Sequence, residues 1–216
     1  MTNETFTNIF DAITKGTLED VRYFVEQQDT DVNAKDYIGR TPLYFAVWCK
    51  SSDIELWQFL LSHGADVNAN YKGTTSIHLV AKRGSLETLQ FFVSHGADIH
   101  AKDHIGRTPL SLVVTHRNLP ATQYLVSQGA DINAKNVTGR TPLHEATQYI
   151  SSFEILKYLV SQGADVGVED NEGKTALDYI LEREAEYAIE AASGNEFERL
   201  AKWLREAKEL LRQAAG

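Results

Sequence analysis

The chain has 216 residues, a single cysteine and a formal charge of −9. That charge argues against indiscriminate binding to nucleic acid or to an anionic membrane surface, and the lone Cys49 excludes an internal disulfide. The opening Met1-Thr2-Asn3-Glu4-Thr5-Phe6 lacks the basic start and long apolar run of a signal peptide, and no stretch reads as a transmembrane segment, so the expectation is a cytoplasmic protein of one elongated domain.

The first 36 residues carry Phe6, Ile9, Phe10, Ala12, Ile13, Leu18, Val21, Phe24 and Val25 at helical spacing, without the motif that follows. A five-residue phrase then begins to keep time. It reads Gly39-Arg40-Thr41-Pro42-Leu43, Gly73-Thr74-Thr75-Ser76-Ile77, Gly106-Arg107-Thr108-Pro109-Leu110, Gly139-Arg140-Thr141-Pro142-Leu143 and, worn down, Gly173-Lys174-Thr175-Ala176-Leu177. The glycine-to-glycine steps are 34, 33, 33 and 34 residues. A second phrase runs in phase: His63-Gly64-Ala65-Asp66, His95-Gly96-Ala97-Asp98, Gln128-Gly129-Ala130-Asp131 and Gln162-Gly163-Ala164-Asp165. Two phrases at one fixed period mean a stacked repeat array rather than a globule around one pocket.

Each Thr-Pro is a helix start, with Thr as N-cap and Pro at the first helical position, where its missing N–H costs nothing. A second helix follows through Ile54 to Leu61, Leu86 to Val93 and Ile155 to Val160, apolar around most of its girth as a helix covered on both sides must be. Gly64, Gly96, Gly129 and Gly163 end those helices, and short extended arms lead to the next turn. The boundaries read as a capping repeat over 1–36, repeats over 37–70, 71–103, 104–136 and 137–170, and a degenerate repeat with a helical extension over 171–216.

The last segment has its own character. After Ser193-Gly194-Asn195 a long helix over Glu196 to Ala215 is rich in Ala, Glu, Lys, Arg and Leu, with opposite charges at i,i+4 such as Glu198 with Lys202 and Lys202 with Glu206. Every local preference points to helix, which resembles an engineered extension as much as a natural Ala- and Glu-rich cap. Phe197, Leu200, Leu204, Ala207 and Leu211 form one apolar stripe, and Trp203 and Leu210 lie beside it. Either Trp203, Leu210 and Ala207 make an oligomer interface with a second copy, or Trp203 leans on Tyr187 or Ile189.

The phrase Thr141-Pro142-Leu143-His144-Glu145-Ala146 carries the resemblance to a known family. Over roughly residues 5–181 the chain resembles the ankyrin-repeat proteins, which implies an all-α solenoid of helix-turn-helix repeats with projecting β-hairpin turns. It also implies a non-catalytic role in binding another protein through hairpin tips and the inner end of each first helix. Carried onto this chain, the partner-binding residues are Tyr37, Ile38, Arg40, Trp48, Tyr71, Lys72, Lys82, Arg83, His104, Arg107, His116, Arg140 and Tyr149. This set is basic and aromatic on an acidic chain, so an acidic peptide segment is the expected partner. Arg40, Arg107 and Arg140 recur at one register, so an intramolecular bridge to Asp36 or Asp103 is the competing expectation. Family members with the Asp-Val-Asn phrase resemble substrates of an asparaginyl hydroxylase, which would make Asn33, Asn68 and Asn133 acceptors; a purely hydrogen-bonding role is the other reading.

Catalytic chemistry has no foothold. His63 and His95 share one register, His78 and His144 another, and His100 stands where Asn33, Asn68 and Asn133 do, as structural devices would. There is no zinc-ligand spacing, phosphate loop, dinucleotide fingerprint or nucleophile elbow, so the expectation is no enzyme, no metal and no cofactor.

Overall fold

The computed structural model describes residues 6–50, 53–83, 85–149, 152–190 and 195–215, with the side chains of 185–200 left aside. It divides into two compact units, Met1–His104 and Ile105–Gly216.

The first unit holds α1 (Ile9–Lys15), α2 (Leu18–Arg22), a π-helical turn over Tyr23–Gln27, then α3 (Pro42–Cys49), α4 (Ile54–Ser62), α5 (Ser76–Arg83) and α6 (Leu86–Ser94). Helix α1 packs on α2 and α3, α3 packs on α4 and α5, and α5 on α6. The capping role of the opening residues follows from burial: Ile9, Ala12, Ile13 and Val21 turn into the stack, whereas the α2 exterior stays polar. Leu43, Leu56, Trp57, Leu60, Ile77, Leu89 and Phe92 continue that core. Each such side chain contributes about 1.5–3 kcal/mol on removal from water.

In the second unit, α7 (Pro109–Thr115) packs on α8 (Leu119–Ser127) and α9 (Pro142–Ala146), and α10 (Phe153–Ser161) lies against α8 and α9. The degenerate repeat supplies α11 (Ala176–Glu190), and α12 (Asn195–Ala215) packs on α10 and α11.

The Thr-Pro starts cap as expected. Thr41 and Thr108 accept from the N–H groups of Tyr44 and Ser111 at 3.4 and 3.3 Å, with Pro42 and Pro109 opening the helices. Where the phrase carries histidine, the cap is tighter. The Thr75 and Thr141 N–H groups donate to Nδ1 of His78 and His144 at 3.2 and 3.1 Å. Nδ1 is therefore the unprotonated nitrogen, and Nε2–H donates 3.1 Å to the carbonyls of Ala101, at the end of the same repeat, and Lys174, in the following one. Burial lowers the His144 pKa below its ordinary value, against the opposing bond to the Lys174 carbonyl.

One expectation changes. No β-strand exists among the described residues; the sole bridge is the isolated pair Tyr71–Thr74. The projecting turns are held by side chains instead of a ladder. Asp36 Oδ1 accepts from Ile38 and Arg40 N–H at 3.0 and 2.9 Å, and Asn136 Oδ1 does the same for Thr138 and Arg140 at 2.9 and 3.0 Å. Arms this short close on one Asx carboxyl or amide before a second rung can form.

The asparagines of the Asp-Val-Asn phrase join repeats. Asn33 Nδ2 donates 2.8 Å to the Gly64 carbonyl while its Oδ1 accepts 2.8 Å from Asp66 N–H, and Asn68 repeats this with Gly96 and Asp98 at 3.0 and 2.8 Å. Asn133 accepts from Asp165 N–H at 2.9 Å. The hydrogen-bonding reading of these three residues thus has a geometry, and it links repeats rather than closing a turn.

Candidate partner-binding face

In the first unit the tip turn and the end of α3 are tied together by Arg40. Its Nε and Nη2 both lie 2.7 Å from Asp36 Oδ2. Burial alone would raise the Asp36 pKa, but the Arg40 and Ile38 N–H groups and the guanidinium outweigh it and hold the carboxyl below its ordinary value. The guanidinium then lies over the Phe45 ring at 4.4 Å and the Trp48 ring at 5.1 Å. The competing expectation for this arginine is therefore the one observed: Arg40 bridges within the chain. Around it, Tyr37 projects 94% exposed, Ile38 is exposed, and Trp48 is 47% exposed at the end of α3.

The next repeat adds Tyr71, whose ring sits 5.3 Å from that of Tyr44, and exposed Lys72 above it at 5.4 Å. Exposed Arg83 reaches back to the Trp48 carbonyl at 3.5 Å; Lys82 is half-buried and His104 exposed. Cys49, beside Trp48, is exposed; partial burial of its sulfur pushes the thiol pKa up, so it is accessible without being activated.

In the second unit successive tips are hydrogen-bonded. Val137 N–H donates 3.0 Å to the Ile105 carbonyl, and Asn171 N–H donates 3.0 Å to that of Thr138. Ile105 and Val137 remain exposed at these tips. Tyr149 is exposed at the end of the inner helix with Arg117 stacked 5.1 Å above its ring, and exposed His116 contacts the Leu112 carbonyl at 2.9 Å. Arg140, like Arg40, is engaged within the chain: it lies 4.3 Å over Tyr179 and 3.8 Å from Asp170, which also accepts the Tyr179 hydroxyl at 2.6 Å. Arg107 is half-buried. The Asn136 amide, part of an Asn-Val-Thr sequon, is used by this turn and by Glu145 at 3.5 Å.

Glu145 escaped sequence reasoning. It is 8% exposed, where the other repeats place Phe45, Leu79 and Leu112. Its oxygens accept from the amides of Asn136 and Gln148 at 3.5 and 3.0 Å. Burial raises its pKa, against the opposing pull of the Arg140 and Arg107 charges. The signal for it is an acidic residue at a repeat position that is otherwise apolar.

The expected self-assembly surface on α12 is not an outer face. Trp203 is 3% exposed and Ala207 fully buried, with Leu204 and Leu211, while Leu210 is half-buried. Residues 203, 204, 207 and 211 fall on one arc, and a helix seated on both α10 and α11 buries a wider arc than one packed on a single neighbour. Lys208 adds 2.6 and 2.8 Å contacts to Glu184 of α11. The expected Lys202–Glu206 pair forms at 3.7 Å on the exterior. Phe197, Leu200, Tyr187, Ile189 and Glu198 lie outside the described side chains.

Seven large hydrophobic side chains are exposed among the described residues: Tyr23, Tyr37, Ile38, Trp48, Ile105, Val137 and Tyr149. All but Tyr23, on the π-helical turn, sit at a tip or an inner-helix end. Among the described residues no cluster could hold a metal ion and no helix is long and apolar enough to cross a membrane.

Comparison with known proteins agrees with this geometry. The family model for ankyrin repeats in three copies matches residues 77–170, and the model for many copies matches residues 49–93. A putative ankyrin repeat protein of Rickettsia bellii is 34% identical over 86 residues, covering 37% of this chain and 50% of that protein. Palmitoyltransferase akr1 of Schizosaccharomyces pombe is 40% identical over 62 residues, 29% of this chain and 9% of that protein. The chain therefore spans half or less of the curated relatives it matches. The crystal structure of an ankyrin repeat domain from Acinetobacter baumannii AYE superposes with a TM-score of 0.77 at 24% identity, covering 95% of this chain and 96% of that one. The fold is the all-α ankyrin solenoid, generally an interaction module rather than a catalyst, and the chain belongs to the ankyrin-repeat family.

Proposed function

We propose that the chain is a non-catalytic binding module that takes a protein partner on the tips and inner-helix ends of its repeats. One observation carries this reading: six of the seven exposed large hydrophobics fall at that register, in both units. Apolar and aromatic side chains left in water at recurring tip and inner-end positions are what a partner surface requires. Lys72 and Arg83 stand among them on a chain of formal charge −9, which favours an acidic partner segment.

The test is a selection. Peptide binders are selected on the wild-type chain, then measured on the double variants Tyr37→Ser/Trp48→Ser and Val137→Ser/Tyr149→Ser. These residues are exposed, so the variants keep their stability to within about 1 kcal/mol. Binders that lose affinity on one pair or the other support the face. Binders that hold equally well on both place the recognition surface elsewhere.

A further inference from the structure

Arg40 does more than close a turn. Its pair with Asp36 fixes the guanidinium at the tip, and its flat face covers Phe45 and Trp48 at 4.4 and 5.1 Å. Phe45 is itself held edge-on by Phe10 at 5.5 Å, and Trp48 tilts against Phe45 at 6.0 Å. An exposed indole is thereby locked between a buried ion pair and a packed ring, so its rotamer freedom is already spent before any partner arrives. The two other tryptophans, Trp57 at 0% and Trp203 at 3% exposure, are core residues. Residues 1–104 carry fourteen Asp and Glu against nine Lys and Arg, yet exposed Arg83 reaches the Trp48 carbonyl and exposed Lys72 stands over Tyr71 at the next tip, neither within ion-pair distance of a carboxylate among the described residues.

We propose that Trp48 is the anchor of the partner face in the first unit, that Arg40 is its positioning residue, and that the occupant is an acidic segment presenting an aromatic side chain to the indole. This rests on the reading of the face given above. Aromatic stacking on a preorganised indole supplies the contact, and Lys72 and Arg83 meet the flanking carboxylates.

Acrylamide quenching of tryptophan emission reports on Trp48, because the other two indoles are buried. In the free protein Arg40→Gln is expected to raise that quenching about twofold. Arg40→Lys, which keeps a charge for Asp36 but loses the flat stacking face, raises it as well. A lower urea midpoint with unchanged quenching in both variants means that Arg40 only braces the turn, and the positioning role falls. The occupant is tested with the peptides Ac-EEFEE-amide and Ac-KKFKK-amide, read by shielding of Trp48 and by slowed alkylation of Cys49. Saturable shielding by the glutamate peptide, weakened about tenfold by Lys72→Glu/Arg83→Glu, supports the proposal. Shielding by the lysine peptide instead overturns the acidic assignment while leaving the face in place. Shielding by neither overturns the site, and if the selected binders are also indifferent to Trp48 the reading of the face falls with it.

Discussion

The stacking of tips in the second unit can be tested by adding one methyl group. Gly106 and Gly129 both have positive φ, +77° and +86°, so alanine at either carries the left-handed cost of about 1–2 kcal/mol. Their surroundings differ. A Cβ at Gly129 meets nothing within 4 Å, whereas a Cβ at Gly106 stands 2.9 Å from Val137 N, 3.1 Å from Asn136 Cα and 3.2 Å from Asn136 C. These are backbone atoms with no rotamer to change. The next tip must move away, and the 3.0 Å bond from Val137 N–H to the Ile105 carbonyl opens, a further loss of about 1 kcal/mol before strain is counted. Gly106→Ala is therefore expected to cost about 2–4 kcal/mol and Gly129→Ala about 1–2 kcal/mol. Urea unfolding of the two variants at equal m-value measures the difference directly. Equal losses would mean that the tips do not pack as described and that φ alone sets the cost.

Three further outcomes follow from the same geometry. Burial raises the folded pKa of Glu145 above the ordinary glutamate value of 4.5, so this group makes the folded chain lose stability as pH rises from about that value through the folded pKa. Glu145→Gln mimics the protonated acid; it should raise the urea midpoint at pH 7 and leave it unchanged near pH 4, and an equal loss at both pH values would refute the burial argument. Asn68→Ala removes both inter-repeat bonds, to Gly96 and from Asp98, and should cost about 1–3 kcal/mol with faster amide exchange at Asp98; unchanged exchange there would show that the ladder is not formed in solution. Leu210→Lys, at a half-buried site, should leave the fold and the mass by light scattering unchanged, whereas Trp203→Glu places a charge against α10 and α11 and should unfold the end of the second unit; a folded Trp203→Glu chain at half the wild-type mass would restore the self-assembly reading.

The comparison of sequence with structure turns on which forces are local. Caps at Thr41, Thr108 and Thr141, the helix starts at Pro42, Pro109 and Pro142, and the turn glycines were readable because each depends on a few consecutive residues. The positions of Tyr37, Trp48, Val137 and Tyr149 at tips and inner ends were readable through the repeat register. What those positions do was not. Arg40 and Arg140 share one phrase with Arg107, yet Arg40 stacks on Phe45 and Trp48 of its own repeat while Arg140 stacks on Tyr179 of the following one. The aromatic that receives each guanidinium comes from a different place in the chain. Glu145 was not singled out, because its burial shows only against the apolar residues that the other repeats place there, and of the two sequence readings of Trp203 the inward one matches its 3% exposure.

The sequence by itself determined the period, the helix pairs, the caps and the family, because a repeat encodes its architecture in neighbours and in a rhythm of 33 residues that each unit restates. Tertiary structure alone decided which arginines are spent on internal pairs, that the asparagines bind repeat to repeat, that a glutamate lies buried among carboxamides and that α12 turns its tryptophan inward. Those outcomes depend on which side chain reaches a shared space first, whether its partner is a few residues away, as for Arg40 and Glu145, or about one repeat away, as for Asn68 and Arg140, and no periodicity in the chain records that.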